Sequence, residues 1–195
     1  KPQDIQIVSV IGAGYVGHGV AQLFAQAGYS VVMFNRTTGS SARAMAGIEK
    51  GLDLFVEAGL LSPTAAGAAL KRVEPTSDLP AAVITSDFIV EAVVDELPLK
   101  QRLFKEMDAL APPHVILASE TSGLRISDIA FETKHPERCI TTHNYTPPPL
   151  MPVVEVVPGE RTAPEVVECT CALLRRVGKE PVICKEIPGN IGSRF

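Results

Sequence analysis

A histidine and a glutamate in the second half of the chain have the residue types and the spacing for proton transfer. His143 ends a predicted strand, on the side where open parallel sheets build their sites, and Glu155 lies twelve residues further on, within the next predicted strand. A carboxylate on a neighbouring strand can orient an imidazole and raise its basicity. We therefore interpret His143 and Glu155 as a candidate acid/base pair. The alternative is a structural histidine, the role that we assign to His18, His114 and His135.

A glycine-rich loop near the N-terminus has the spacing of a dinucleotide-binding fingerprint. It follows an apolar predicted strand and opens an amphipathic predicted helix. In such a loop the glycines permit a tight turn, close approach of the backbone to a pyrophosphate, and packing of the helix on the strand, while the helix N-terminus attracts the phosphates. A turn that binds no ligand is the alternative, which this context disfavours. The cofactor-binding residues of the loop would be Gly12, Gly14, Tyr15, Val16 and Gly17.

The end of the second predicted strand bears on the choice of dinucleotide. NAD-binding proteins of this kind usually have a carboxylate there, which accepts hydrogen bonds from the ribose hydroxyls. This chain has Asn35, Arg36 and Thr37 instead. Asn35 removes a charge that would repel a 2′-phosphate, and Arg36 and Thr37 can donate to one, which favours NADP. If Arg36 is only a solvated loop residue, Asn35 still binds the ribose of NAD, so both cofactors stay open.

The elements that must position these residues alternate between strand and helix. This alternation predicts an α/β fold, a Rossmann-type doubly wound and mostly parallel sheet. A pair of helices, the first over residues 40–58 and the second ending at Lys71, is inserted after the second strand. The predicted strands cover residues 5–11, 30–34, 73–76, 88–93, 115–119, 139–142, 153–157 and 181–185. Further helices are predicted from the glycine loop to a stop at Gly28, and over residues 97–110 and 164–177.

The composition excludes several classes of protein. Of the 195 residues 46% are hydrophobic, which is enough for a packed core rather than a disordered chain. A net charge of −4 without a run of Lys or Arg argues against a nucleic-acid partner. The four cysteines match no zinc or redox spacing, so no metal site is predicted. With no signal peptide or long apolar span, we expect no membrane partner and a cytoplasmic location.

Taken together, these segments resemble one family, the 3-hydroxyacyl-CoA dehydrogenases, including the branch of gulonate dehydrogenase and lambda-crystallin. The resemblance extends over essentially the whole chain. It is carried by the glycine loop, by the inserted helices, and by residues 89–100, 120–124 and 143–158. The joint match is much more specific than any single motif, and the family's NAD-binding N-terminal domain is the part that corresponds to this chain.

The resemblance implies a role for each candidate site residue. It implies that His143 is the general acid/base paired with Glu155, and that Ser122 hydrogen-bonds the substrate hydroxyl or the cofactor. It also implies that Asp95 and Lys100 line the cofactor near its nicotinamide half. Outside the family context, Ser122 reads as a helix cap, and Asp95 and Lys100 read as solvated charges at a helix start.

The implied function is that of an NAD(P)-dependent oxidoreductase that interconverts a 3-hydroxy and a 3-keto group by hydride transfer. The substrate would be a small hydroxy or keto compound, which the family presents as a CoA thioester. The serine and the lysine that contact CoA in the acyl-CoA enzymes align here with Gly51 and Ala58. That difference favours an alternative, a dehydrogenase of a small hydroxy acid or diketone without CoA. A second alternative is a non-catalytic, crystallin-like dinucleotide-binding module.

The resemblance also predicts the domain organisation. Residues 1–187 would form the dinucleotide-binding domain, and residues 188–195 would start the linker to a C-terminal helical domain that is absent from this chain. In the family that domain closes the substrate cleft and supplies much of a dimer interface. We therefore expect a homodimer when the protein is full length.

Overall fold

The computed structural model describes residues 1–194, with side chains to residue 192. Within this part of the chain eight strands form one sheet, in the order β3-β2-β1-β4-β5-β6-β7-β8. The strands are β1 (Ile7–Ile11), β2 (Ser30–Phe34), β3 (Val73–Thr76), β4 (Phe88–Glu91), β5 (Ile116–Ser119), β6 (Cys139–Asn144), β7 (Val153–Pro158) and β8 (Glu180–Ile183). Strands β1 to β6 are parallel, β7 is antiparallel to β6, and β8 is parallel to β7. The predicted α/β fold with a mostly parallel sheet is confirmed.

Helices cover both faces of the sheet, which explains why the central strands are apolar on both sides. They are α1 (Tyr15–Gln26), α2 (Thr38–Glu57), α3 (Pro63–Leu70), α4 (Leu79–Ile84), α5 (Leu97–Leu110), α6 (Ile126–Ile129) and α7 (Pro164–Arg176). One apolar core lies between the sheet and α1, α2, α3 and α7, and another between the sheet and α4, α5 and α6. Each fully buried residue such as Phe24 or Phe104 stabilises the fold by about 1.5–3 kcal/mol.

The inserted pair of helices is present as α2 and α3. Thr37 caps α2, because its Oγ1 accepts a hydrogen bond from Ser40 N at 3.2 Å, and so the helix begins two residues earlier than predicted. Gly59 follows α2 with a φ of +70°, a left-handed conformation that glycine adopts at little cost. Ser62 caps α3 in the same way, by accepting from Ala65 N at 3.2 Å.

Several boundaries differ from the prediction for local reasons. Strand β4 ends at Glu91 rather than at residue 93, because the Glu91 carboxylate accepts a hydrogen bond from Val93 N at 2.7 Å and turns the chain. Strand β6 continues to Asn144 because its pairing with β7 does. The short helices α4 and α6 were not predicted; for α4 a signal exists in Asp78, whose Oδ1 caps Ala81 N at 3.0 Å.

Every described helix is too short or too polar to span a bilayer.

Candidate active site

The glycine loop joins β1 to α1 at the carboxyl edge of the parallel strands. Gly12 has a φ of +96°, and a Cβ there would lie 2.8 Å from Val93 Cγ1. A Cβ on Gly17 would collide with the carbonyl oxygen of Gly12. The turn and its packing therefore require glycine at both positions. Gly14, the residue before α1, differs, because a Cβ there would meet no protein atom within 4 Å. Its free side is open space in front of a helix N-terminus, which fits a pyrophosphate group.

Asn35 lies directly after β2 and faces the same loop. Its Oδ1 accepts a hydrogen bond from Ala13 N at 3.1 Å. Its Nδ2 is buried and has no hydrogen-bond partner among the described residues. A buried donor without a partner costs about 1–3 kcal/mol. A ribose hydroxyl oxygen would satisfy this donor, so the residues present fit a dinucleotide.

The two remaining loop residues have different surroundings. Tyr15, the first residue of α1, is 66% exposed, so its ring is free to contact a ligand. Val16 is partly buried and packs against the apolar core. The Val16 side chain therefore faces the core, and its backbone N–H, in the first turn of the helix, is the part of this residue that can face a phosphate.

Beyond Asn35, the start of α2 combines a helix N-terminus with two guanidinium groups. Arg36 is exposed. The hydroxyl of Thr37 is engaged in capping, because it also donates to Ser40 Oγ at 2.9 Å. Arg43 Nη2 donates to the same Ser40 Oγ at 3.1 Å, which brings a second cation to this helix end. Sequence reasoning missed Arg43. Its signal was its place in the second turn of α2, which brings a cation close to the N-terminus of that helix.

His143 and Glu155 are directly opposite each other in the antiparallel pair of β6 and β7. The distance between His143 Nδ1 and Glu155 Oε2 is 2.8 Å. Glu155 is 3% exposed, and its other oxygen accepts a hydrogen bond from Gly192 N at 2.9 Å. A carboxylate at Nδ1 fixes the imidazole tautomer and leaves Nε2 for proton exchange. The structure thus brings the predicted pair together, and Gly192 adds a contact that sequence reasoning missed.

Ser122 is joined to Asp95 across the loops that follow β5 and β4. Both the backbone N–H and the hydroxyl of Ser122 donate to Asp95 Oδ2, at 3.1 Å and 3.0 Å. Burial alone would raise the pKa of Asp95, but the charge of Lys100 and hydrogen bonds from Ser122 and Thr121 hold it below its usual value. Asp95 therefore stays ionised as an acceptor, and the hydroxyl oxygen of Ser122 remains free to accept a hydrogen bond itself. Ser122 caps no described helix.

Lys100, which the resemblance implied to line the cofactor, lies in the protein interior. Lys100 is fully buried, and its Nζ lies 2.6 Å from Glu91 Oε1 and 3.3 Å from Asp95 Oδ1. Glu91 is also fully buried and accepts from Ser119 Oγ at 2.7 Å. The ammonium is drawn inward because a buried carboxylate requires a partner charge. Lys100 is therefore not a solvated charge, and its ammonium contacts the site through Asp95, while its place beside the cofactor stays a prediction.

The segment after β8 returns to the site. Gly189 N donates to Gly123 O at 2.9 Å, and Asn190 Nδ2 donates to Thr121 O at 2.7 Å. With the bond from Gly192, this segment contacts both the Ser122 loop and Glu155. Residues 188–192 thus contribute to the site although they were expected to begin a linker. Residue 195, the last of that expected linker, lies outside the described residues, and the proposed domain boundary stays a prediction.

A groove of about 580 Å³ lies beside the glycine loop. Helices α1 and α2 and the loop 147–150, which follows His143, line it. Its lining is mostly apolar and includes Gly51 and Ala58, the two positions aligned with CoA contacts. A Cβ on Gly51 would collide with Gln22 Oε1, so a larger residue there would displace the end of the buried Gln22 side chain. Neither position carries a hydroxyl or a cation that could bind a phosphate.

Comparisons with known proteins agree with this geometry. A family model described as "3-hydroxyacyl-CoA dehydrogenase, NAD binding domain" matches residues 7–187. The 3-hydroxyadipyl-CoA dehydrogenase of Escherichia coli (strain K12) is 38% identical over 98% of this chain and 40% of that protein. The mitochondrial hydroxyacyl-coenzyme A dehydrogenase of Sus scrofa is 35% identical over 98% of this chain and 62% of that protein. A crystal structure of 3-hydroxybutyryl-CoA dehydrogenase from Escherichia coli K12 superimposes with a TM-score of 0.93 at 38% identity, over 96% of this chain and 40% of that one.

Proposed function

Because the chain belongs to the 3-hydroxyacyl-CoA dehydrogenase family and carries its NAD-binding domain, we propose that the protein is an NAD(P)-dependent oxidoreductase that interconverts a 3-hydroxy and a 3-keto group. The chain spans 40% and 62% of the two relatives described above, so this activity belongs to the full-length protein. The observation that carries the proposal is the hydrogen bond of 2.8 Å between His143 Nδ1 and Glu155 Oε2. It lies at the sheet edge where the glycine loop opens.

The side chains would divide the proton chemistry between them. The glycine loop and Asn35 would hold NAD(H), whose nicotinamide would supply or accept the hydride. During oxidation Nε2 of neutral His143 takes the proton of the substrate hydroxyl, and Glu155 stabilises the imidazolium that forms. During reduction the imidazolium returns the proton. Ser122, whose O–H is directed to Asp95, offers its oxygen lone pairs to the N–H of the cofactor amide, because the one proton of the substrate hydroxyl goes to His143.

We propose further that the site accepts NADP as well as NAD. Two observations support this extension. Asn35 places no negative charge near the ribose 2′ position, and Arg36 and Arg43 flank the N-terminus of α2, where a helix attracts anions. Thr37 is the N-cap residue of α2, so it contributes by holding this helix end in place rather than by donating to a phosphate.

The substrate we propose is a small hydroxy or keto compound, with a CoA thioester as the first candidate because the relatives are named for such substrates. The groove supports a second candidate, a hydroxy acid or diketone without CoA. Gly51 and Ala58 give a phosphate no hydrogen bond and the groove is mostly apolar, with Lys50 as the cation of its lining. The paired His143 and Glu155 count against a non-catalytic module. A homodimer and a cytoplasmic location stay predictions for the full-length protein.

The test is turnover by the full-length protein on matched pairs of substrates. Each pair is one 3-hydroxy acid offered as the CoA thioester and as the free acid, with NAD and with NADP. We expect oxidation of at least one member of a pair. A preference of tenfold or more for free acids, about 1.4 kcal/mol, would identify the second candidate. Tight cofactor binding without turnover of any substrate would contradict the proposed function.

A further inference from the structure

Strand β6 extends beyond the end of its parallel neighbour β5. The last residues that pair between these strands are Ser119 and Thr141, whereas the pairing of β6 with β7 continues to Asn144 and Val154. The part of β6 that carries His143 is therefore held by ladder bonds on the β7 side only. On the other side its backbone polar groups need a different partner, because a buried N–H group left unpaired is costly.

The carboxylate of Glu120 takes the place of the missing strand. Glu120 directly follows β5, and its Oε2 accepts a hydrogen bond from Asn144 N at 3.1 Å. Its Oε1 accepts from Asn144 Nδ2 at 2.8 Å and from Thr142 Oγ1 at 3.2 Å. Three hydrogen bonds thus converge on one side chain, and all of them come from the two residues that flank His143.

Side chains alternate along a strand, so Thr142 and Asn144 point to the face of the sheet opposite to His143. Glu120 therefore stays clear of the imidazole, yet it fixes the backbone on which the imidazole stands. Glu120 also precedes Ser122 by two residues, so one side chain ties the Ser122 loop to the His143 strand. We propose that Glu120 is a positioning residue, which fixes through Asn144 the place of His143 relative to Ser122. This role rests on the proton-transfer function proposed above for His143.

Two further charged groups face Glu120. Lys179, which precedes β8, donates from Nζ to the carbonyl oxygens of Pro148 and Met151, and its charge interacts with that of Glu120. The second group is Glu91, whose like charge acts on Glu120. Burial raises the pKa of Glu120 to about 7, against the hydrogen bonds from β6 that lower it, and Glu91 adds to the rise. Burial lowers the pKa of Lys179 to about 8, although Glu120 opposes this.

Asn144 can hold Glu120 in either protonation state. Its Oδ1 is buried and has no hydrogen-bond partner among the described residues, because Nδ2 is the atom that faces Glu120. If Glu120 takes up a proton, a half turn of the Asn144 amide lets Oδ1 accept from the new O–H group. The backbone bond from Asn144 N to Glu120 persists in both states. A glutamine at position 120 should therefore preserve the link, whereas an alanine should abolish it.

The experiment compares Glu120→Ala, Glu120→Gln and the surface control Glu132→Ala in the full-length protein. Among the described residues, the exposed Lys105 is the ion-pair partner of Glu132. For Glu120→Ala we expect kcat to fall about ten- to a hundredfold, the scale of a small misplacement of a catalytic group. The dissociation constant of the cofactor should change by less than about threefold, which is under 1 kcal/mol. Glu120→Gln should restore most of kcat. The second readout is the titration of the His143 imidazole by NMR, whose midpoint should shift in Glu120→Ala only.

The outcomes separate this proposal from the proposed function. Wild-type kcat and an unshifted His143 titration in Glu120→Ala would overturn the positioning role. If Glu120→Ala fails to fold, Asn144→Ala decides the matter, since it removes the amide and keeps the backbone bond. It should give the same changes in smaller size, and no change would overturn the proposal. If the wild type turns over no substrate, the proposed function fails, while the histidine titration still tests the positioning role.

Discussion

The glycine loop and the His143–Glu155 pair lie at the same carboxyl edge of the parallel strands, but they are built in different ways. Between Gly12 and Gly17 the loop is a single turn, and these two glycines are required by contacts within that turn and with the residues that follow β4. The proton-transfer pair joins two antiparallel strands, and Glu155 takes a second bond from Gly192, 37 residues further along the chain. One region is local in sequence, and the other is assembled across the sheet.

This difference predicts which property a substitution in each region should change. In the proposed function the glycine loop would bind the cofactor through backbone groups at a helix N-terminus, so changes around it should affect the affinity for the cofactor. The pair would act through one imidazole held by distant groups, so changes there should affect the rate of the chemical step. Substitutions in the two regions test whether affinity and rate separate in this way, and the largest effect is expected at His143.

Replacement of His143 should lower kcat and leave the affinity for the cofactor nearly unchanged. In the full-length protein we expect His143→Gln to lower kcat by about 10²- to 10⁴-fold, the usual contribution of general acid–base catalysis. Glu155→Gln should cost less and shift the pH profile, because a neutral partner stabilises imidazolium poorly. Steady-state kinetics and cofactor fluorescence give the two readouts. Near-normal kcat in His143→Gln would contradict the mechanism, and a parallel loss of cofactor affinity would contradict the division.

Replacement of Lys100 should act on stability instead. Lys100→Met leaves Glu91 buried without its counter-charge, and breaking such a pair typically costs about 3–5 kcal/mol. The matched control on the same helix is Lys105→Met, whose exposed pair with Glu132 should contribute at most about 1 kcal/mol. Urea unfolding of both variants measures the difference. Equal losses of stability would mean that the buried ion pair contributes no more to stability than the exposed pair does.

The sequence predicted the local features well and the long-range ones poorly. Glycine spacing and strand alternation predicted the loop around Gly12 and most strand positions, because these depend on neighbouring residues. The inward turn of Lys100 could not be read, because it depends on a carboxylate in another strand and on the burial of both groups. The bond from Gly192 to Glu155 requires the chain to fold back from β8, for which no local pattern exists. The role proposed for Glu120 depends on the extension of β6 past β5, which the residues around Glu120 do not indicate.

Stability should also depend on pH through Glu120. Its pKa, usually near 4.5, is raised to about 7 in the folded protein, mainly by burial. A raised pKa means that the folded state holds its proton more tightly, so Glu120 favours folding at low pH and this contribution is lost as pH rises towards and past 7. Between pH 5 and 7.5 wild type should lose about 2 kcal/mol of stability that Glu120→Gln keeps. Urea unfolding at both pH values checks this, and identical pH dependence in the two proteins would refute it.

The smallest effect we predict concerns the choice between the two cofactors. It tests whether the cations at the start of α2 distinguish NADP from NAD by the charge of the 2′-phosphate. Arg36→Ala should weaken NADPH binding about tenfold, the size of one charge-assisted hydrogen bond, and leave NADH binding nearly unchanged. Arg43→Ala should act in the same direction if both guanidinium groups face the 2′-phosphate. Lys71→Ala is the matched control, because it removes an exposed cation next to the start of β3, at the opposite edge of the sheet from Asn35. Fluorescence titrations of both reduced cofactors, repeated at two salt concentrations, measure the effects, since added salt screens exposed charges. Equal losses for NADH and NADPH in Arg36→Ala would remove the argument for NADP and leave Asn35 as a ribose contact alone.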